Sequence, residues 1–393
     1  MKKTPLFTPV SAALSIFCAA FLAAPDAAAV AAEISVSPLP PLVVAGTNPP
    51  QGVAGAFASV AENGEWLIVA GGCNFPDKGP ADGGKKVFYK TVFRLNLKNP
   101  ENGWEILPGE LARPAAYGMS VGDLWLGGEN AETKMDTTRL APFFAPTTTL
   151  FPLPAKMDNA AADTLADETG APVALIVAGG NTNGVPTNRA WILEKPAADT
   201  DTIGWRALPN FPGSPRVQPV GGTVKTPRGD AFALVGGFFF DKEKKLATLD
   251  RAGVIFFPKE NRWKKIPPLP SEISEAGLAG ASAVEDGRGG LLIFGGVNAK
   301  IFKDALENPP PDYLRRDPAW YKFNADVLRL SFDADGNAVW EKLATIPATA
   351  RAGASVVSAG DGTVALICGE LKPGVRATDC VLLKIRFDDA PAR

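Results

Sequence analysis

Six apolar runs in this chain end at the same kind of turn. Leu67-Ile68-Val69-Ala70, Leu124-Trp125-Leu126, Leu175-Ile176-Val177-Ala178, Ala233-Leu234-Val235 and Leu292-Ile293-Phe294 each run straight into two glycines. In the sixth copy, Ile367-Cys368-Gly369-Glu370, a cysteine takes the place of the first glycine and a carboxylate follows at once. The second glycines fall at 72, 128, 180, 237, 296 and 369, spaced by 56, 52, 57, 59 and 73 residues. A chain that repeats one short buried strand and one tight turn six times builds six similar units, and each must bury its apolar face against its neighbours.

A period of about 50 residues marks kelch-type propeller blades, each a four-stranded antiparallel sheet. The expected fold is therefore all-β, a six-bladed kelch-type propeller. Other marks keep the register. Trp104, Trp205, Trp263 and Trp340 each open a later strand that ends in an apolar residue and proline, as in Trp263-Lys264-Lys265-Ile266-Pro267. Strands of small residues open the next blades, at Ala115-Ala116-Tyr117-Gly118, Gly280-Ala281-Ser282-Ala283 and Arg351-Ala352-Gly353-Ala354-Ser355. Small side chains suit the crowded innermost strand. The sixth blade runs out of chain after Val381–Phe387, and Ile34–Leu42, with its apolar-proline ending, resembles the missing outer strand. The N-terminal strand is thus expected to close the ring and remove an open sheet edge.

The ends and the exclusions follow. Lys2 and Lys3, the apolar run Ala12–Ala24 and the small residues Ala27–Ala32 read as an export signal over 1–32, removed to leave a single domain over 33–393 in the periplasm or outside the cell. The apolar run is too short to span a bilayer, so no membrane insertion is expected once the signal is gone. A net charge of -2 gives no electrostatic case for nucleic acid. The chain has no histidine, which rules out a Ser-His-Asp triad and His-ligated metal sites. No cofactor and no metal are expected. Cys73, Cys368 and Cys380 remain in the mature chain, room for one internal disulfide at most, and small buried thiols are the plainer reading. The oligomeric state is open, with a homodimer among the options.

The loops after the six Gly-Gly positions should meet on one face of the ring. They carry Asn74 and Phe75, Glu129 and Asn130, Asn181, Phe238, Asn298 and Phe302, and Glu370 with Arg376; linkers into the innermost strands add Arg113 and Arg351. Taken singly, each Asn is an ordinary turn former. Taken together, Asn74, Arg113, Glu129, Asn298 and Arg351 are candidates for binding a polar sugar. Glu370 and Arg376 flank Lys372-Pro373-Gly374, a tight turn that would fold the arginine back on the glutamate. There the arginine could keep the glutamate ionised as a base, or grip a substrate carboxylate in a two-pronged pair. The insertion Ile301–Asn324, rich in proline, arginine and aromatics, follows one Gly-Gly and is read as a cap over the channel mouth.

At these residues the chain resembles a known family. Gly295-Gly296-Val297-Asn298 with Ile301-Phe302, Phe323-Asn324, Leu328–Asp333, Gly353–Val357 and Gly369-Glu370-Leu371-Lys372-Pro373-Gly374-Val375-Arg376 are similar to the N-acetylneuraminate epimerases, or sialic acid mutarotases. Phe57-Ala58, Ala70-Gly71-Gly72, Arg113 with Ala116–Ser120, and Gly127-Gly128-Glu129 resemble that family's last blades, placed here first, as in a cyclically permuted branch. The resemblance implies interconversion of the α and β anomers of a small sugar acid, N-acetylneuraminate, without a cofactor, with Glu370 and Arg376 as the residues tied to activity. Two rivals stand beside it: a non-catalytic glycan- or protein-binding kelch module, and below it a sialidase, for which Ser331–Gly336 is a near-miss of the Asp-box turn.

Overall fold

The structure is a computed structural model that describes residues 14–16, 32–61, 64–132, 134, 137–139, 150–195 and 204–388. The rest of the segment read as an export signal lies outside the described residues.

Six four-stranded antiparallel sheets follow one another along the chain. Their first strands are Phe57–Ala61, Met119–Val121, Ala161–Ala166, Val220–Thr226, Ala281–Glu285 and Ser355–Gly360. In each sheet the second strand is the apolar run that ends at the glycine turn, and the third and fourth strands lie outside it. The first five sheets are contiguous in sequence. The sixth takes its outer strand from the other end of the chain: Ala32–Leu39 pairs antiparallel with Cys380–Phe387, from Ala32 opposite Phe387 to Leu39 opposite Cys380. Leu14–Ile16 adds a short strand on its far side.

The double glycine is the seam between sheets. The N–H of the second glycine reaches the entry segment of the next sheet each time: Gly72 to Ala115 O, Gly128 to Met157 O, Gly180 to Arg216 O, Gly237 to Leu278 O, Gly296 to Arg351 O, and Gly369 to Val53 O. The first glycine is needed for space. A Cβ on Gly71 would stand 2.4 Å from Ala115 O, and one on Gly295 2.2 Å from Arg351 O. The recurring tryptophans work on the same seam from outside. The indole N–H donates to the proline carbonyl that ends the preceding sheet, from Trp104 to Pro40 (2.9 Å), Trp205 to Pro152 (3.0 Å), Trp263 to Pro209 (2.8 Å) and Trp340 to Pro267 (3.2 Å). The Trp104 bond falls on the residue after the N-terminal strand, where the apolar-proline ending of Ile34–Leu42 predicts it.

A third set of bonds surrounds the axis. The N–H of Tyr117 donates to Gly55 O, Asn159 to Tyr117 O, Gln218 to Asn159 O, Gly280 to Gln218 O, Gly353 to Gly280 O, and Gly55 to Gly353 O. These six residues precede the six first strands, and all six have positive φ. The strands below them carry Ala161, Gly221, Ala281, Ala283 and Ser355, the small side chains that close packing about an axis requires. Between sheets the core is aliphatic. Val235, Ile255, Leu278, Leu291, Ile293, Leu328 and Trp340, for example, form one cluster joining the fourth and fifth sheets. Each such side chain contributes about 1.5–3 kcal/mol on burial.

The insertion is helical rather than extended. It forms a helix at Ala299–Glu307, a single 3-10 turn at Tyr313–Arg315 and a short helix at Pro318–Tyr321. Alternating apolar and polar residues give way here to an amphipathic turn whose first N–H groups need a cap. Asn298 supplies it, accepting from Ile301 N at 3.0 Å. No helix among the described residues is long and apolar enough to cross a membrane.

Candidate active site

Glu370–Lys372 and Val375–Arg376 form a two-stranded hairpin at the end of the sixth sheet, turned by Pro373-Gly374. Glu370 lies directly opposite Arg376, so the six-residue spacing folds into a cross-strand pair. The backbone of Glu370 exchanges two hydrogen bonds with Ala352, donating at 2.7 Å and accepting at 3.0 Å. An ion pair joins Arg376 Nη1 to Glu370 Oε2. The arginine side chain is 2% exposed, while the glutamate keeps 23% of its surface open. The carboxylate is therefore the more exposed member of the pair, with the cation behind it. Burial pushes the Glu370 carboxyl above its usual range, and Arg376 and Lys86 pull it back. The Arg376 guanidinium loses by burial and gains more from Glu370, Tyr117 and Cys73, so it stays firmly charged.

Three residues that the repeat pattern did not single out complete the cluster. Cys73, not Asn74, directly follows the first sheet's double glycine, and its thiol donates to the Tyr117 hydroxyl at 3.4 Å. Tyr117 is one of the six axial residues, at φ 57°. Its phenol is pushed well above the usual value, first by burial. Lys86 comes from the loop between Cys73–Asn74 and Val87–Phe88, and its Nζ stands 5.1 Å from the Tyr117 ring centre. Phe75 backs the arginine, 5.6 Å from its Cζ, and Gln51 Oε1 accepts the Arg376 N–H at 3.3 Å.

The insertion lies against this cluster. Lys372 Nζ, on the hairpin, donates to Arg316 O at 2.7 Å. Arg315 Nη2 reaches Ala81 O at 3.0 Å and Asp82 Oδ1 at 2.8 Å, in the loop that carries Lys86. Tyr313, Trp320 and Tyr321 pack mutually edge to face, with centroids 5.2–5.9 Å apart. Tyr313 is pushed up to about 12 by burial, then by Tyr321 and Glu370, which puts this aromatic group within electrostatic reach of the carboxylate.

The other expected binding residues have different surroundings. Asn74 is buried, with its amide donating to Gly52 O at 2.9 Å and its oxygen accepting from Tyr89 at 2.6 Å. Arg351, 3% exposed, donates to Cys368 O and Asp379 O at 2.9 Å each and to Asp379 Oδ2 at 2.8 Å. Arg216 does the same on the fourth sheet, with Gly236 O, Ala252 O and Asp250. Both arginines sit two residues before an axial residue, the position that Ala115 holds in the second sheet. Arg113 lies two residues too early to match Arg351 and is exposed. Asn298 is the helix cap described above, its amide donating to Glu275 at 3.1 Å. Glu129 occupies the mouth position of the second sheet, like Glu370 in the sixth, and is paired with Lys134, which lies 3.2 Å from the buried Asp158.

A cavity of about 1280 Å³ lies at the opposite end of the first strands from Glu370. Asp163, Glu285, Lys225 and the Asp167–Gly170 turn line it. Asp163 is pushed up to about 6 by burial, against two backbone N–H bonds from Thr223 and Thr164.

The cluster thus sets a buried arginine behind a partly exposed carboxylate, with two tyrosines and a lysine beside them. The sequence pattern of the N-acetylneuraminate epimerase family matches residues 183–390, just over half of the chain, and the chain belongs to that family. Among similar proteins, the N-acetylneuraminate epimerase of Brucella melitensis is 28% identical over 198 residues, covering 47% of this chain and 48% of its own. Those of Haemophilus influenzae (strain PittEE) and Yersinia pestis (strain Pestoides F) are 29% identical over 188 residues and 32% identical over 197. The Haemophilus match covers 44% of this chain and 46% of that protein, the Yersinia match 45% and 46%. The chain thus spans about half the length of the curated relatives it matches. A solved structure titled "Structure of YjhT" aligns with a TM-score of 0.47 at 24% identity, covering 60% of this chain and 65% of that one.

Proposed function

We propose that this protein is a sialic acid mutarotase, interconverting α- and β-N-acetylneuraminate by acid–base ring opening and closure. The observation that carries the reading is the cross-strand pair of partly exposed Glu370 and buried Arg376 on the hairpin. Glu370 takes the proton of the anomeric hydroxyl. The freed electron pair forms the ketone as the bond from the anomeric carbon to the ring oxygen breaks, and the ring oxygen takes a proton from water. The ketone turns, and the same steps in reverse close the ring on its other face. Electrons are only redistributed within the sugar, so the reaction involves no net oxidation or reduction. Arg376 holds Glu370 ionised and aimed, while Lys86, nearer the solvent side, meets the substrate carboxylate. With Glu370 ionised, Arg376 and Lys86 leave one net positive charge, which suits a monoanion. Asn74 and Arg351 support the frame of this site, and Glu129 lies farther round the mouth.

The six sheets are read as blades of one propeller. The repeated seam contacts and the N-terminal strand on the sixth sheet support a ring closed between the sixth sheet and the first. The insertion, tied to the hairpin by Lys372 and to the Lys86 loop by Arg315, serves as a cap on this mouth. The signal pattern over 1–32 goes with an exported protein, periplasmic or secreted.

The test is anomer exchange followed by NMR on freshly dissolved N-acetylneuraminate. Glu370→Gln keeps an oxygen for Arg376 but removes the base, so exchange should fall by roughly 10²–10⁴-fold while the sugar still binds. In the wild type the rate should drop as pH falls through the raised Glu370 value. If Glu370→Gln works at the wild-type rate, the base lies elsewhere, with Glu129 next in line; if the wild type does not accelerate exchange, the binding-module reading gains.

A further inference from the structure

Two of the three mature-chain cysteines meet at the root of the Glu370–Arg376 hairpin. Ile367 pairs with Cys380 across the sixth sheet, and the N–H of Cys368 reaches Asp379 O at 3.3 Å. Successive residues of a regular strand point to opposite faces, so Cys368 should face away from Cys380. It does not, because Cys368 occupies the first-glycine position of the repeat with φ 50°, and that turn breaks the alternation. Cys368 and Cys380 pack in one buried cluster together with Leu42. Both residues are 1% exposed. Cys73 is engaged elsewhere, with Ala54 O and the Tyr117 hydroxyl. In the closed protein Cys368 is pushed up and Cys380 is held below the usual thiol value, each first by the neighbouring thiol.

We propose that Cys368 and Cys380 are a modification site, forming an intramolecular disulfide that staples the two roots of the hairpin carrying Glu370 and Arg376. The co-reactant is a disulfide, RSSR. The Cys380 thiolate attacks one of its sulfurs and releases the first thiolate, giving a mixed disulfide. Cys368 then loses its proton and attacks the Cys380 sulfur, releasing the second. The protein gives up two electrons and two protons, and RSSR leaves as two RSH. Leu42 O lies 3.9 Å from the Cys368 sulfur, and the Ala32–Leu39 strand pairs with the strand of Cys380. Exchange therefore takes place during folding or when that terminal strand opens, not on the closed protein. The closed loop, 368–380, holds both residues of the ion pair.

The experiment refolds the full chain from denaturant in a buffer of oxidised and reduced glutathione, alkylates the free thiols in denaturant, and maps peptides by mass spectrometry without reduction. The expected result is a linked pair of peptides containing Cys368 and Cys380, with Cys73 alkylated, and the same link in a Cys73→Ser variant. Linked protein should melt a few degrees above the same protein after reduction, because the loop is constrained when unfolded. Full alkylation of Cys368 and Cys380, or a link to Cys73, would overturn the proposal. Equal melting of the linked and reduced forms would overturn the stapling role. None of these readouts depends on catalysis.

Discussion

Asp163 offers a perturbation whose size can be worked out in advance. Its carboxyl lines the cavity between the first strands and is held at about 6 against a reference of 3.8, with burial as the first cause. The folded protein therefore favours the protonated form. A group raised in this direction contributes stability that is fully present below about pH 3.8 and is lost as pH rises through about 6. A shift of about two units at 1.36 kcal/mol each makes the ionised carboxylate cost about 3 kcal/mol at neutral pH. Asp163→Asn removes the charge and keeps the size. It also sets an NH₂ against one of the two N–H groups, from Thr223 and Thr164, that the carboxylate now accepts. That loss costs about 1 kcal/mol or somewhat more at every pH, so it cancels in a comparison across pH. The assay is urea unfolding of both proteins at about pH 4 and about pH 7.5. Relative to the wild type, the variant should gain about 2.4 kcal/mol between the two conditions, since a little of the effect is already present at pH 4. Glu285, itself pushed up mainly by burial, adds in the same direction once a neighbouring charge is gone. A difference that stays constant with pH would refute the reasoning and show that Asp163 is already solvated through the cavity.

Two further outcomes follow from the same structure. Lys86→Met should raise KM for the sugar acid about 10-fold or more while leaving KM for its methyl ester nearly unchanged, the size expected for a lost hydrogen bond to a charged group; equal effects on both would remove Lys86 from carboxylate recognition. Deleting 33–39 takes away the outer strand of the sixth sheet with buried Ile34 and Leu39, worth about 1.5–3 kcal/mol each, and an unchanged melting temperature would refute closure through the N-terminal strand.

The repeat was legible because its chemistry is local. A strand must end, turn with positive φ and let the next sheet's carbonyl approach, and glycine pairs record all three demands in the sequence. The tryptophan and proline marks were legible for the same reason, since one bonds the other across every seam that carries the pair. The Glu370–Arg376 pair could be read because only six residues and a Pro-Gly turn separate its members. Lys86 and Tyr117 could not, because they reach the cluster through packing between the sixth, first and second sheets, and no short spacing encodes that. Asn74 differs from Glu370 in register: the residue directly after the double glycine is Cys73, and one step along a strand reverses the side chain. Arg113 was grouped with Arg351 because both precede small-residue strands. Counting back from the axial residues separates them and brings Arg216 into the set instead.

Those arginines also meet their burial differently from Arg376. Burying a guanidinium is costly unless its donors are met. Arg216 and Arg351 meet that demand at their terminal nitrogens, with two backbone carbonyls and one carboxylate each, and the carbonyls belong to the glycine turn and the strand beside it. They clamp the end of a sheet, and any ligand would have to displace main-chain bonds to use them. Arg376 is as deeply buried as either, yet no backbone carbonyl accepts from its guanidinium among the described residues. Its partners are the Glu370 carboxylate, the Cys73 thiol and the Phe75 ring. A residue kept only for stability would gain by finding carbonyls, as the other two have. Arg376 instead holds its charge against a single, partly exposed carboxylate, so its burial is balanced by one side chain rather than by the main chain.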